Sequence, residues 1–122
     1  MSDDTRPFPP FLLVDDDGWL DIYDNFEDLI GDLEAPFLDE IAWLVDGKAR
    51  AVRLTARGDR IELAGMEPAV DQAGLYEAID RFFDRWTMTS PPPHCDSESE
   101  YIASVAAQYR TAEFRPRKRK DR

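Results

Sequence analysis

The residues with the clearest chemical potential lie near the start of the chain, where a short apolar run ends in three consecutive acids and a glycine. The apolar run 11–14 precedes Asp15, Asp16 and Asp17, and Gly18 follows them. Carboxylate oxygens are ligands that suit Mg²⁺, and a carboxylate can also act as a nucleophile. The segment therefore contains the groups that magnesium-dependent phosphoryl transfer requires. A solvated Asp-rich hairpin turn is the simpler interpretation, and we favour it.

The strand followed by Asp-x-Asp-Gly resembles the first motif of haloacid-dehalogenase-type phosphatases. This resemblance implies that Asp15 would attack phosphorus, that Asp17 would handle the proton, and that both would help to hold magnesium. The chain departs from the family's pattern at Trp19, where the family has threonine, and it shows no convincing downstream Ser/Thr, Lys and paired-Asp motifs. A magnesium-dependent phosphotransfer or phosphatase-like enzyme is therefore the alternative hypothesis, and we predict no catalytic residue, metal or cofactor.

Two other patterns are weaker signals for chemistry. The acidic cluster also resembles the start of a response-regulator receiver domain, with Asp46 as the phosphoacceptor, but a receiver alternates strands with helices whereas this chain shows hairpins. His94 and Cys95 are adjacent in a proline-bounded segment and could form half of a metal site between chains. Two neighbouring ligands are weak evidence, so inert linker residues are the favoured interpretation. Because Cys95 is the single cysteine, an internal disulfide is excluded.

Charge is divided unevenly along the 122 residues, whose formal net charge is −11. Residues 1–114 contain 25 Asp and Glu against 9 Lys and Arg, a charge of −16, whereas residues 115–122 contain 6 Lys and Arg and one Asp, a charge of +5. An acidic body repels nucleic-acid phosphates and attracts basic partners, with steering that weakens as salt rises. Acidity that serves solubility alone is the alternative.

The C-terminal segment is strongly basic. Its clustered cations include Arg115, Arg117, Lys118, Arg119 and Lys120. Clustered cations bind phosphates because binding releases counterions. Since the acidic body repels phosphates, nucleic acid is an unlikely partner except through this tail. Because no aromatic side chain lies among these cations to stack on bases, we favour a solvated tail that can fold onto the acidic body.

Two β-prone runs flank the acidic turn and predict a hairpin. They cover residues 11–14 and 19–23, and the turn between them ends in Asp-Gly. In the second run, alternation places Trp19, Asp21 and Tyr23 on one face of the strand. These three side chains are therefore expected to be neighbours.

Helical spacing and further strand signals follow along the chain. Apolar residues spaced by three and four predict helices over 26–33 and 75–86, and a capping box at Ser97 begins a third helix. Runs at 41–45, 49–55 and 61–63 predict a three-strand meander between the first two helices.

Together these elements predict an α+β fold, with a small antiparallel sheet of about five strands in ββα-βββα order, two amphipathic helices that cover it, and a C-terminal helix. The corresponding segments are a mobile leader (1–10), an α+β domain (11–86), a Pro-rich linker (87–96), a C-terminal helix (97–112) and a basic disordered tail (113–122). The sequence leaves open whether the C-terminal helix packs on its own chain or on another. Without a membrane-length apolar run or a secretory signal, we expect a cytoplasmic protein and no membrane partner.

In size, acidity and element order over residues 11–86, the chain is similar to small bacterial proteins of unassigned function and to the immunity proteins that neutralise basic toxin domains by covering them. We therefore expect a protein-binding function of the immunity, inhibitor or adaptor kind rather than an enzyme. The protein would contact a basic partner through electrostatic and aromatic interactions. The candidate binding residues are Asp16, Asp21, Trp19, Tyr23, Trp43 and Glu62.

Overall fold

Five strands form one antiparallel sheet in the computed structural model, which describes residues 6–67 and 71–115. The strands are β1 (Phe11–Asp15), β2 (Leu20–Tyr23), β3 (Ile41–Val45), β4 (Ala51–Arg57) and β5 (Arg60–Glu67). They lie side by side in the order β2-β1-β3-β4-β5. The predicted α+β class, the first hairpin and the meander are therefore confirmed.

Three α-helices are present among the residues that the structure describes, and each begins at a side-chain cap. They are α1 (Phe26–Asp32), α2 (Gln72–Trp86) and α3 (Glu98–Thr111), and a 3-10 segment (Ala35–Glu40) follows α1. The side chains of Asn25, Asp71 and Ser97 each accept a backbone N–H from the first turn. Such caps satisfy donors that a helix start otherwise leaves free.

Strand β1 lies inside the sheet and is buried on both faces. Phe11, Leu12, Leu13 and Val14 are each at most 5% exposed. Leu12 and Val14 face the larger hydrophobic cluster, here called the main core, whereas Phe11 and Leu13 face a second cluster on the other side of the sheet. A strand that is covered on both faces has a continuous rather than an alternating apolar sequence, and β1 follows this rule.

The helices divide between the two faces of the sheet. The buried Leu29 of α1 belongs to the second cluster, while α2 and α3 pack together in the main core. The fully buried side chains of α2 and α3 are Leu75, Ile79, Phe82, Phe83, Tyr101, Ile102 and Val105. Helix α3 therefore packs on its own chain, and the core continues past residue 86, where the sequence suggested that the compact unit ends.

Residues 6–10 of the predicted leader are held by the loop between β3 and β4. The carboxylate of Asp46 is fully buried, accepts the backbone N–H of Phe8 and pairs with Arg50 at 2.7 Å. Gly47 donates its backbone N–H to the carbonyl of Phe8. A Cβ at Gly47 would lie 2.3 Å from the carbonyl oxygen of Pro9, so this close approach requires glycine. Residues 1–5 lie outside the described residues.

The buried hydroxyl of Tyr101 gives a stability prediction. Tyr101 is fully buried, and its hydroxyl has no hydrogen-bond partner among the described residues. An unsatisfied buried hydroxyl costs roughly 1–3 kcal/mol, so Tyr101→Phe is expected to raise the free energy of unfolding by about 1 kcal/mol in urea titration. The matched control is Tyr76→Phe, which removes a 2.9 Å bond to the Cys95 carbonyl and is expected to lower stability. Equal losses from both variants would show that the Tyr101 hydroxyl is bonded.

No helix within residues 6–67 and 71–115 has the length and apolar character of a membrane span. Residues 116–122, which contain four of the predicted tail cations, Arg117, Lys118, Arg119 and Lys120, lie outside the described part of the chain.

Candidate functional site

The acidic turn between β1 and β2 is organised by one of its own carboxylates. Asp15 Oδ1 accepts the backbone N–H groups of Asp17 and Trp19, each at 2.9 Å. This is the local hydrogen bonding by which aspartate stabilises turns. The carboxylates of Asp15, Asp16 and Asp17 have oxygens within 4.8 Å of one another, a spacing that a metal ion could bridge. The exposed members, Asp16 and Asp17, remain available to solvent or to a partner.

Beside this turn is a small pocket at the β2 edge of the sheet, which we call the acidic pocket. It has a volume of about 170 Å³ and is lined by Leu13, Asp15, Asp21, Tyr23, Asp32, Leu33, Phe37, Glu40 and Ile41. Strands β1 and β2 supply one wall, and the end of α1 with the 3-10 segment supplies the other. The volume is below the roughly 300–1,000 Å³ of small-molecule sites. It suits a single long side chain better than a cofactor.

Within the described part of the chain, the four acids of the acidic pocket have no cationic partner. Among the described residues, no ion pair involves Asp15, Asp21, Asp32 or Glu40. The bonds they accept come from neutral groups, such as the 2.5 Å bond from the Tyr23 hydroxyl to Asp32. Together with Asp16 and Asp17, these acids form what we call the acidic face. No cation from residues 6–67 and 71–115 neutralises this face.

The electrostatics of Asp21 reflect this uncompensated charge. Burial raises the pKa of Asp21 above its ordinary value, and the charges of Asp32 and Asp15 raise it further. A hydrogen bond from Trp19 Nε1 to Asp21, at 3.1 Å, opposes the shift in pKa. Burial and the charge of Asp21 also raise the pKa of Tyr109 to about 12. A cation placed here would relieve the repulsion that these groups share.

The raised pKa of Asp21 predicts how stability changes with pH. The folded state holds the Asp21 proton more tightly than the unfolded state does. The free energy of unfolding therefore falls as pH rises from the ordinary pKa of 3.8 through the raised pKa of Asp21 in the folded state. At neutral pH that loss is fully present, so Asp21→Asn is expected to melt at a higher temperature than the wild type. The difference should vanish at a pH below both pKa values. Asp59→Asn, an exposed acid, is the control, and a lower melting temperature for Asp21→Asn at pH 7 would contradict the prediction.

Trp19 lies on the opposite face of the sheet from the one that simple alternation predicts. Its ring makes edge contacts with Phe82 at 5.1 Å and Trp86 at 5.2 Å between centroids, and it tilts against Phe114 at 5.8 Å. Trp19 precedes β2, and the backbone turns at Gly18 with a φ of +88°, so the strand pattern does not apply to it. Trp19 therefore supports the acidic face from the main core and positions Asp21 through its indole N–H.

The remaining predicted binding residues are separated from one another. Asp16, Asp21 and Tyr23 lie around the β1–β2 edge. Trp43 is half-buried in β3 and packs against the main core beside Gly74 of α2. Glu62 lies on β5 and pairs with Arg57 at 3.4 Å. Four strand spacings separate β2 from β5, which is about 19 Å. The predicted residues therefore form one group at the β2 edge and two separate positions.

Sequence reasoning missed two acids and an aromatic residue of the acidic pocket, namely Asp32, Glu40 and Phe37. Phe37 is an exposed aromatic at its rim, with 44% of its surface accessible. The three lie at the end of α1 and in the 3-10 segment, where Pro36 signalled only that the helix stops. The local pattern contains no signal for the direction in which the chain then returns to the sheet.

A second, larger cleft lies along α2. Its volume is about 530 Å³, and Tyr76, Asp80 and His94 are among its lining residues. His94 stacks on Tyr76 with centroids 3.8 Å apart, and its Nε2 lies 2.9 Å from Asp80. Cys95 Sγ instead contacts the carbonyl of Ser97. His94 and Cys95 are thus each engaged locally, and in residues 6–67 and 71–115 the one group with metal-ligand spacing is the acidic turn.

Comparison with protein-family models, with curated proteins and with solved structures finds no match to this chain.

Proposed function

We propose that this chain is a small cytoplasmic binding protein, of the immunity, inhibitor or adaptor kind, that recognises a basic protein partner through the acidic face. The observation that supports this best is the acidic pocket, whose four carboxylates have no cationic partner among the residues the structure describes. Charged groups without an internal partner cost stability through mutual repulsion. A basic partner would relieve this repulsion on binding.

The shape of the acidic pocket favours an arginine or lysine side chain of the partner. Its volume of about 170 Å³ suits one side chain, and Tyr23 and Phe37 offer aromatic surface at its walls. Long cationic side chains pack their methylene stems on apolar surface while the charged head meets carboxylates, and arginine also stacks on aromatic rings. Asp21 and Asp32 would receive the charge, and the aromatic rings would contact the stem.

Selective capture tests this proposal. The wild type, an Asp21→Asn/Asp32→Asn variant and an Asp59→Asn/Glu98→Gln control would each be immobilised and exposed to an extract of the cells that produce the protein. We expect a basic protein to be retained by the wild type and the control, to be lost with the acidic-pocket variant, and to be released by high salt. Equal retention by all three proteins, or capture that is indifferent to salt, would contradict the proposal.

A magnesium-dependent phosphatase-like enzyme that uses Asp15 and Asp17 is the second candidate, favoured by carboxylate oxygens that lie within 4.8 Å of one another in the acidic turn. Asp15, however, already accepts two backbone N–H groups through Oδ1, which reduces its nucleophilicity.

We predict that the purified protein shows no Mg²⁺-dependent hydrolysis of a generic phosphate ester above the rate of Asp15→Asn, since the donated N–H groups stabilise the Asp15 carboxylate in its turn role. The release of inorganic phosphate would be followed with and without chelator. Turnover that requires magnesium and disappears in Asp15→Asn would favour the enzyme over the binding protein.

A further inference from the structure

Strand β5 forms the edge of the sheet opposite to the acidic face. It is the last strand in the order β2-β1-β3-β4-β5, so β4 is its one strand neighbour within residues 6–67 and 71–115. An edge strand has backbone N–H and C=O groups that can pair with another strand. With eight residues and no proline, β5 is the longest strand of the sheet. It is therefore the strand best able to pair with another chain.

Charge favours this edge over the rest of the acidic body as a contact between two copies. Residues 51–67, which form the β4–β5 hairpin, contain three Arg and three Asp or Glu, a net charge of zero. The −16 of residues 1–114 therefore comes entirely from outside the hairpin. The opposite edge, β2, contains Asp21 and borders the acidic face, where two copies would repel each other. Two copies can thus approach with least repulsion at β5.

The side chains of β5 match those of a second, antiparallel copy of the same strand. The ladder pairs Arg53 with Gly65 but Leu54 with Leu63, so Ala64 is an extra residue, a β-bulge. The bulge shifts the alternation by one, which places residues 60, 62, 65 and 67 on one face of the hairpin and residues 61, 63 and 66 on the other. When two copies of β5 pair about the bulge, residues 60, 61 and 62 meet residues 67, 66 and 65, and each meets a residue of its own face.

We propose that a second copy of this chain docks edge to edge on β5, with the strands antiparallel and a two-fold axis between Leu63 and Ala64. In a two-fold interface each contact occurs twice. Arg60 of each copy would meet Glu67 of the other, and Ile61 would meet Met66. Pairs of opposite charge and pairs of apolar residues both stabilise an antiparallel ladder.

The residues of these pairs have the capacity for a further contact. Arg60 is exposed and enters no ion pair within the described residues. Glu67 pairs with Arg53 at 2.9 Å, but its side chain remains 51% exposed, so it can accept a second cation. Ile61 and Met66 are half-buried in the single chain and would gain cover. A register shifted by two residues would instead oppose Glu62 to Glu67, which is a pair of like charge.

The dimer would join two five-stranded sheets into one continuous sheet. The acidic face remains free in it, because β2 lies four strand spacings, or about 19 Å, from β5. The proposal therefore does not rest on the proposed function. One eight-residue edge is small beside the roughly 1,200–2,000 Å² of a stable interface, so we expect a weak and reversible dimer.

Sedimentation equilibrium of the full-length protein tests the proposal, at 0.15 M salt and from about 10 μM to about 1 mM. We expect a monomer–dimer equilibrium that Arg60→Glu weakens about tenfold or more, because two pairs of opposite charge become two pairs of like charge. Reversing both charges, in Arg60→Glu/Glu67→Arg, should restore dimerisation to within about threefold of the wild type. Arg60 lies directly opposite Arg57 in the hairpin, so Arg60→Glu removes a like-charge pair within the chain and does not unfold it.

The control variant is Arg81→Glu, which makes the same change of net charge at an exposed position on α2 and should leave dimerisation unchanged. Hydrogen exchange locates the contact, since amide protection should rise with protein concentration in β5 and not in β2. The proposal is wrong if the protein is monomeric throughout, if Arg60→Glu and Arg81→Glu have equal effects, or if the double charge reversal fails to restore the dimer. Assembly beyond a dimer, or protection that rises in β2, would also overturn it, because β5 would then pair with a different surface of the next copy.

Discussion

Replacing Asp46 with alanine is expected to lower the free energy of unfolding by about 3–5 kcal/mol, the usual cost of breaking a buried ion pair from one side. The Asp46 carboxylate is fully buried and its partner, Arg50, is 13% exposed. Asp46 also accepts the backbone N–H groups of Phe8, Lys48 and Arg50. The substitution therefore removes the acceptor of three part-buried backbone N–H groups and the charge partner of Arg50, and it weakens the contact between residues 6–10 and the loop.

An ion pair of the same length and spacing gives the control. Glu77 and Arg81 are also four residues apart and also 2.7 Å apart, but their side chains are 69% and 64% exposed. Exposed i, i+4 pairs contribute about 0.3–0.5 kcal/mol, so Glu77→Ala should change stability by less than about 0.5 kcal/mol. Urea titration of both variants measures the contrast. A loss below about 1 kcal/mol for Asp46→Ala would show that the loop relaxes and that water replaces the lost bonds.

Most of the fold can be predicted from local periodicity, because a helix or strand that is buried on one face has apolar residues at regular intervals in its sequence. Leu75, Ile79, Phe82 and Phe83 have helical spacing, and all four are fully buried. Sequence also predicts the exposed Glu77–Arg81 pair, since residues four apart on a helix are neighbours. What a periodic pattern specifies is which face of an element is covered.

A periodic pattern does not specify which element covers that face. Helices α1 and α2 lie on opposite sides of the sheet, and α3 completes the main core. The sequence left the position of α3 open because its apolar stripe is equally suited to its own sheet or to another chain. The consecutive apolar residues of β1 are the one local sign that the sheet is covered on both sides.

The network around Asp46 and the acidic pocket both depend on contacts between distant segments. Asp46 accepts from Phe8, 38 residues away, and sequence singled it out only as a conceivable phosphoacceptor. In the acidic pocket, Tyr23 donates to Asp32 across the β2–α1 turn. Acids such as Asp32 and Glu40 have the same sequence signature whether they are solvated or gathered around a pocket. Only the tertiary fold distinguishes the two cases.

The acidic face should control the rate at which a basic partner associates. We expect the triple variant Asp16→Asn/Asp21→Asn/Asp32→Asn to associate about tenfold more slowly than the wild type at low salt, since steering by a charged surface raises on-rates by roughly 10- to 1,000-fold. Dissociation should also be faster, because Asp21 and Asp32 would contact the partner's cation directly in the acidic pocket. Stopped-flow mixing with the captured partner, over a series of salt concentrations, measures both rates.

The control removes the same formal charge from elsewhere on the body, through Asp59→Asn, Glu62→Gln and Glu98→Gln. Glu62 lies on β5, four strand spacings or about 19 Å from β2, and already pairs with Arg57. At physiological salt the Debye length is about 8 Å, so charges at that distance contribute little to encounter at the acidic face. We expect the control to keep most of the wild-type on-rate at 0.15 M salt, whereas the acidic-face variant stays slow. If both variants lose the same amount, net charge alone steers the partner; if neither loses any, the acidity serves solubility.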